Sequence, residues 1–307
     1  MTVRRSSARR DRSRGAAFGG RASGVVRGNR RVDLARFTLI GVYVIFLLLP
    51  MYWALITAFK PQEDILAQPP VWFPSDPTFS YFGSALHRLN GLTGIKNSLI
   101  VAFSSTFLAV VIGAMAAYSM ARFATGGKHL AFWFLSQRLL PPVAVVIPIF
   151  LLYSRYSEEW LRFRLIDTRV GLILLYTVFS LPWTVWMMYS YFRQMPPELE
   201  QAALVDGCSR WQALWKVAMP LAAPGIVSAA AFAFIFAWTE FLFALVLTST
   251  NATTLPVLLA GYIGVFQGNL WGETAAMTLI SLVPALLLGI FLQRHLVRGL
   301  TVGAVQG

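Results

Sequence analysis

The chain has 307 residues, 57% hydrophobic and 13% charged, with a net charge of +13 and a mean hydropathy of +0.62. A soluble globular domain carries about 25% charged residues, so the composition excludes an ordinary water-soluble domain and places the chain in the membrane class. The single cysteine, Cys208, excludes an intrachain disulfide.

In chain order, residues 1–33 form an Arg-, Ser- and Gly-rich arm that is expected to be disordered. It reads as a solvated, cytoplasmic topology anchor touching anionic lipid, rather than as a transit peptide or a nucleic-acid arm. Residues 1–36 hold 11 Arg and 2 Asp, which is +9 of the +13. Six apolar runs follow, at about 37–59, 98–121, 130–154, 170–192, 226–248 and 274–292. Each is expected to be helical, because hydrocarbon offers no partner to an open backbone. With the N-terminus inside, the inner segments hold 18 Arg and Lys and the outer segments seven. The positive-inside rule therefore puts both termini in the cytoplasm.

Prolines 50, 141, 142, 148, 182 and 284 interrupt the runs. Kinks there either open a central cavity or serve packing, and both readings stay open. Two ionisable residues fall within runs, Arg138 and Glu240. They lie about 12 Å and about 21 Å from the inner ends of their spans. Each either faces a water-filled path or bonds locally to backbone and neighbouring helices.

Several chemistries lack their residues. There is no G-x-x-x-x-G-K-[ST] loop, since "ATGGKH" at 124–129 lacks the first glycine and the hydroxyl residue. The chain is thus expected to have no ATPase activity of its own. His87, His129 and His295 lie outside the spans, and no catalytic set, metal set or cofactor motif accompanies them. The two halves show no clear duplication, which argues against a self-contained secondary transporter.

The polar stretch "PPELEQAALVDGCSRWQALWKVAMP", residues 196–220, lies between two apolar runs. Pro196 and Pro197 suit a helix start, and Glu198 and Glu200 suit its positive end. Asp206-Gly207 suits a left-handed C-cap. Ser209 with Gln212 has capping-box spacing, and Pro220 is expected to close the second helix. Leu199, Ala202, Ala203 and Val205, then Trp211, Leu214, Trp215 and Ala218, give an apolar face. That face either docks in a groove of another protein or lies on lipid.

These residues resemble the EAA loop of the permease subunits of binding-protein-dependent ABC importers. Ala202, Ala203, Asp206, Gly207 and Pro220 match the pattern, whereas the leading Glu is replaced by Gln201, with Glu200 just before it. "TAFKPQEDI", "WTEFLFALVLT" and the tail "QRHLVRGLTVGAVQG" extend the resemblance over about 34–307, closest to the carbohydrate-uptake branch and its second permease of the maltose-transporter type. The resemblance implies an all-α membrane protein of six transmembrane helices, the type I ABC importer permease fold. It also implies a coupling loop at 194–223 with a cytoplasmic coupling helix, and a cytoplasmic tail at 293–307. The implied partners are an ABC ATPase subunit dimer, a second, non-identical permease, an extracytoplasmic solute-binding protein, a carbohydrate substrate and membrane lipid, with no nucleic acid. The implied location is a bacterial inner membrane.

By that resemblance, Glu200, Gln201, Ala202, Ala203, Asp206, Gly207, Trp211 and Trp215 meet the ATPase, and Thr301, Gly303 and Gln306 of the tail enter its dimer interface. Sugars call for hydrogen-bonding groups beside aromatic faces. Candidates for the translocation path are Arg138, Trp238, Glu240, Phe241 and Phe243. Tyr262, Gln267, Asn269 and Trp271 in the outer loop are candidates for reaching into the binding protein. An interfacial aromatic belt is the other reading of these rings. Alternatives for the chain are an importer permease for a polyol, glycerol phosphate or peptide, or a membrane-embedded enzyme or scaffold.

Overall fold

The computed structural model describes residues 30–264 and 268–303. Most of the arm at 1–33, together with Gln267 and Gln306, lies outside the described residues. So do the side chains of Arg138, Asn269 and Thr301. The chain divides into two bodies, residues 1–51 and 52–307.

The first body contains most of α1 (Arg30–Thr57), in which Pro50 is accommodated without ending the helix. The second begins with the last turn of α1, followed by α2 (Gln62–Ile65) and α3 (Ser80–Gly83), which widens into a π turn at Ser84–Arg88. Then come α4 (Gly91–Phe123), α5 (Gly127–Ser136), α6 (Pro142–Leu151), α7 (Ser157–Leu161) and α8 (Arg169–Gln194). α9 (Glu198–Val205), α10 (Arg210–Ala213) and α11 (Met219–Leu221) cover the polar stretch. α12 (Ala223–Thr239), α13 (Leu242–Leu247), α14 (Leu255–Gly261) and α15 (Trp271–Gly303) complete the chain. Two two-residue strands, β1 (Ile263–Gly264) and β2 (Gly268–Asn269), pair antiparallel before α15.

α4, α8 and α12 pack on one another and form the scaffold of the second body. The buried stripe of α4 is small: Gly94, Ser98, Ala102, Ser105, Ala109, Gly113 and Ala117 recur three or four residues apart. Helices in lipid gain little from burying grease against grease, so close approach of small residues supplies the association. A methyl group added at Gly113 would meet Thr184 Cγ2 at 2.7 Å, and one at Gly225 would meet the Tyr191 ring at 2.5 Å. On the facing helices, Leu172, Tyr176, Val185, Met188 and Phe192 of α8 and Phe234, Ala237 and Trp238 of α12 fill the core.

Among the described residues, four helices are long and apolar enough to cross a membrane, at Leu34–Thr57, Gly91–Phe123, Arg169–Gln194 and Trp271–Phe291. They overlap the expected first, second, fourth and sixth spans. The other two runs are helical but interrupted. In the run at 130–154, α5 passes into one 3-10 turn at Gln137–Leu139, the chain then extends at Leu140 and Pro141, and α6 restarts with Pro142 in its first turn. Pro141 and Pro142 disfavour helical geometry at the residues before them, Leu140 and Pro141, and ten residues rise only about 15 Å. In the run at 226–248, α12 ends at Thr239, and Glu240 and Phe241 leave helical geometry before α13. A fifth crossing is counted if Arg210–Leu221 and Ala223–Thr239, bent by 75°, are one span.

Candidate functional site

The helix–turn–helix at 198–221 is built locally. α9 opens with the amides of Glu200 and Gln201 donating to the Pro197 carbonyl, and Glu198 and Glu200 occupy its first turn. Its end is a Schellman motif: Cys208 N–H donates to Ala203 O at 3.0 Å and Gly207 N–H to Leu204 O at 3.1 Å, with Gly207 at φ +89°. Ser209 then caps α10. Its Oγ accepts from Gln212 N–H at 3.2 Å, while Gln212 Oε1 accepts from Ser209 N–H at 2.9 Å. Pro220 does not close the second helix. It sits in the first turn of α11, and the bend into α12 falls at Ala222.

The apolar residues of this element divide by direction. Leu214, Ala218 and Ala222 are buried and pack with Tyr118, Met188, Phe192 and Met195 of the transmembrane core, and Ala213 is buried too. Leu199, Val205, Trp211 and Trp215 are exposed, Val205 by 87%, and the two tryptophans lie edge to face at 5.9 Å. Gln201, Ala202, Asp206 and Gly207 are also exposed, and Ala203 is half-buried. Glu200 alone among the predicted coupling residues is buried, 7% exposed. Its carboxylate accepts from Arg122 Nε at 2.7 Å and from the Tyr118 hydroxyl at 2.7 Å. Beside it, the Arg210 guanidinium lies 5.3 Å from the Phe123 ring centre. A cleft of about 230 Å³ opens between Arg122, Phe123, Pro197, Gln201, Leu204 and Arg210.

Glu240 occupies the break between α12 and α13. Its carboxylate accepts from the Tyr176 hydroxyl at 2.6 Å and from the amides of Phe243 at 2.8 Å and Ala244 at 3.2 Å. The charge thus satisfies donors that the interrupted helix leaves open. Trp238 is buried, stacks on Phe234 and donates from Nε1 to Ser281 O at 3.2 Å, which ties α12 to α15. Phe243 is buried against Phe179, whereas Phe241 is exposed. In the loop before α15 Tyr262 is buried, and its hydroxyl donates to the carbonyls of Ala85 and Leu89. Burial and the nearby Glu273 push that hydroxyl up to about 12. Trp271 is half-buried at the start of α15.

One polar cluster carried no sequence signal. Asp167, at φ +55°, accepts the backbone amides of Ser249, Thr250, Asn251 and Ala252, plus the Thr250 hydroxyl and the Asn251 side-chain amide. The next residue, Thr168, caps α8 by accepting from Gly171 N–H. Arg169 donates to Asn97 Oδ1, and Asn97 Nδ2 donates to the carbonyls of Asn251 and Thr253. Burial alone would raise the Asp167 carboxyl, but the four amides outweigh it and hold the group well below the ordinary aspartate range. The cluster's long-range bonds join positions 72 to 156 residues apart, so no local pattern announces it.

The bundle has helices of membrane-spanning length and an exposed, doubly capped helix–turn–helix between α8 and α12, and the chain belongs to the family of binding-protein-dependent transport system inner membrane components. The family model matches residues 109–302, which includes α8, the whole helix–turn–helix and α12. The chain is 37% identical over 268 residues to the diacetylchitobiose uptake system permease protein DasC of Streptomyces coelicolor, covering 87% of this chain and 94% of that protein. It is 37% identical to the trehalose transport system permease protein SugB of Mycobacterium tuberculosis, covering 85% and 93%. With the trehalose/maltose transport system permease protein MalG of Thermococcus litoralis it shares 32% identity, covering 86% and 93%. Its fold matches a chain of a bacterial ABC transporter involved in the import of the acidic polysaccharide alginate, with TM-score 0.72 and 22% identity, covering 87% of this chain and 97% of that one.

Proposed function

We propose that this chain is one of two non-identical permease subunits of an ATP-driven carbohydrate importer, and that the element at 198–221 couples it to a separate ATPase dimer. The observation that carries the reading is the exposed apolar face of Leu199, Val205, Trp211 and Trp215 on a turn fixed by a Schellman motif and a capping box. A rigid element with exposed aromatic anchors suits insertion into a groove of a protein partner. Relatives named for diacetylchitobiose, trehalose and maltose support a carbohydrate substrate. ATP is hydrolysed in the partner, since the chain lacks a phosphate loop. Both termini face the cytoplasm, an extracytoplasmic binding protein delivers the solute, and the domain boundaries are those set out from the sequence.

Within this reading Gln201, Ala202, Ala203, Asp206, Gly207, Trp211 and Trp215 meet the ATPase, and the tail with Thr301, Gly303 and Gln306 adds a second contact. Glu240 and Phe241, with Arg138, are the path candidates, because Trp238 and Phe243 are spent on packing inside the chain. Gln267, Asn269 and Trp271 remain the loop candidates, with Tyr262 as the anchor of that loop.

Deleting 199–215 in the assembled importer is expected to abolish co-purification of the ATPase while the chain still inserts. Unchanged co-purification would sink the coupling reading. Uptake of radiolabelled trehalose into proteoliposomes, competed by disaccharides but not by glycerol phosphate or peptides, is the expected pattern for the substrate class. Competition by glycerol phosphate or peptide alone would replace the carbohydrate reading with another solute.

A further inference from the structure

In α9, the predicted docking helix, Glu200 is the only buried residue; Ala203 is half-buried and the other six are exposed. An amphipathic helix normally holds its support through apolar residues, whereas here a carboxylate does so. The side chains of Arg122 and Glu200 are 12% and 9% exposed and lie 2.7 Å apart. Tyr118 and Arg122 are one helical turn apart on α4, so both reach the same carboxylate, one at each oxygen. Arg122 Nη2 also donates to the carbonyl of Met195 at 3.1 Å. Met195 is the extended residue (ψ 127°) through which α8 leads towards α9. The guanidinium therefore grips both the connection and the helix beyond it.

We propose that Tyr118, Arg122 and Glu200 form an internal brace that makes α9 move as one body with α4, and that Glu200 is a positioning residue facing its own transmembrane helices rather than the ATPase. The inference rests on the coupling reading and says how displacement leaves the docking helix. Apolar contacts slide with little penalty, while charge-assisted hydrogen bonds at both carboxylate oxygens fix distance and direction. Losing one partner strands the other charge away from water, so the brace acts as a unit. α4 carries the small-residue stripe packed on α8 and α12, so a push on α9 reaches that scaffold through this contact.

The test uses the assembled importer, with ATPase, second permease and binding protein, in a Cys208→Ser background. Spin labels are placed through Glu198→Cys on α9 and Leu92→Cys at the outer end of α4, both exposed positions. Pulsed dipolar spectroscopy then measures their separation in nucleotide-free and ATP–vanadate-trapped states. The brace predicts one narrow distance, unchanged on trapping. Glu200→Gln and Arg122→Gln are expected to keep the ATPase bound, to broaden or shift that distance on trapping, and to lower binding-protein-stimulated ATP hydrolysis about tenfold. The charge swap, Arg122→Glu with Glu200→Arg, is expected to restore the narrow distance and most of the stimulation. Single variants with the parent's distance and stimulation would overturn the proposal, as would a parent whose distance shifts on trapping or a swap that restores neither readout. Loss of ATPase binding in Glu200→Gln but not in Arg122→Gln would instead make Glu200 a direct ATPase contact and also overturn it. Failure of the coupling reading is seen separately, as undiminished ATPase co-purification after deletion of 199–215.

Discussion

Asp167 and Glu240 do similar work at different places: each carboxylate gathers backbone amides that the chain's own turns leave open. At Glu240 the donors are the Tyr176 hydroxyl and two amides of α13. Glu240→Ala is expected to strand them, at about 1–3 kcal/mol for each buried donor. Glu240→Gln retains one acceptor and should lose less. Thermal melting of the purified chain in detergent, ordered parent, Gln, Ala, checks this, and equal melting would contradict it. Asp167 gives a pH dependence. Its folded value lies below the ordinary 3.8, so its contribution is fully present above about pH 4 and disappears as pH falls through the lower folded value. Limited proteolysis at 249–254 is expected to be constant from pH 7 to about 4. Asp167→Asn is expected to be cut faster already at pH 7, with no further change on acidification through that range. Glu240 was visible in the sequence as a charge within an apolar run. Its partners were not, because Tyr176 is 64 residues away.

At the scale of elements, the helix–turn–helix was almost wholly legible. Its start, stop and restart each depend on residues within five positions of one another, and the structure has the left-handed C-cap at Gly207 and the capping box at Ser209. The direction of its apolar residues was not legible. Leu214 and Ala218 turn into the core while Trp211 and Trp215 turn out, because the neighbouring helices decide which side is covered. Gly207 has φ +89°, a conformation that proline's ring forbids. Gly207→Pro is expected to abolish ATPase co-purification without preventing membrane insertion; retained co-purification would contradict the docking of this turn. Gln201 is exposed, and it serves the first turn of α9 through its backbone amide, which the substitution keeps. Gln201→Ala is therefore expected to support uptake within about twofold of the parent, as for surface substitutions that move stability by no more than about 0.5 kcal/mol. A complete loss of uptake would show that the ATPase contact depends on this side chain rather than on the shape of the element. The broken run at 130–154 was half legible: its prolines were plain in the sequence, but a kink and a full interruption look alike there.

For the second body as a whole, packing rests on close approach of α4, α8 and α12. At Gly113 an added side chain meets Thr184 on α8, whereas at Gly289 on α15 nothing lies within 4 Å. Gly113→Leu is expected to destabilise by about 1–3 kcal/mol through overpacking, and Gly289→Leu to leave melting of the isolated chain unchanged. Equal melting of the two variants would refute the small-residue packing.

The sequence by itself determined the membrane class, the apolar runs, the charge asymmetry and the helix–turn–helix, since composition, periodicity and caps act over a few residues. Only the tertiary structure decided which runs stay continuous and which aromatic residues are committed to packing. It also decided where the charged side chains find partners: Glu200 with Arg122 across 78 residues, and Asp167 with a loop more than 80 residues on. The physical reason is the same in each case. Desolvating a polar group is expensive unless it is paired, and Glu200, Asp167 and Asn97 find their partners on segments that only folding brings to them.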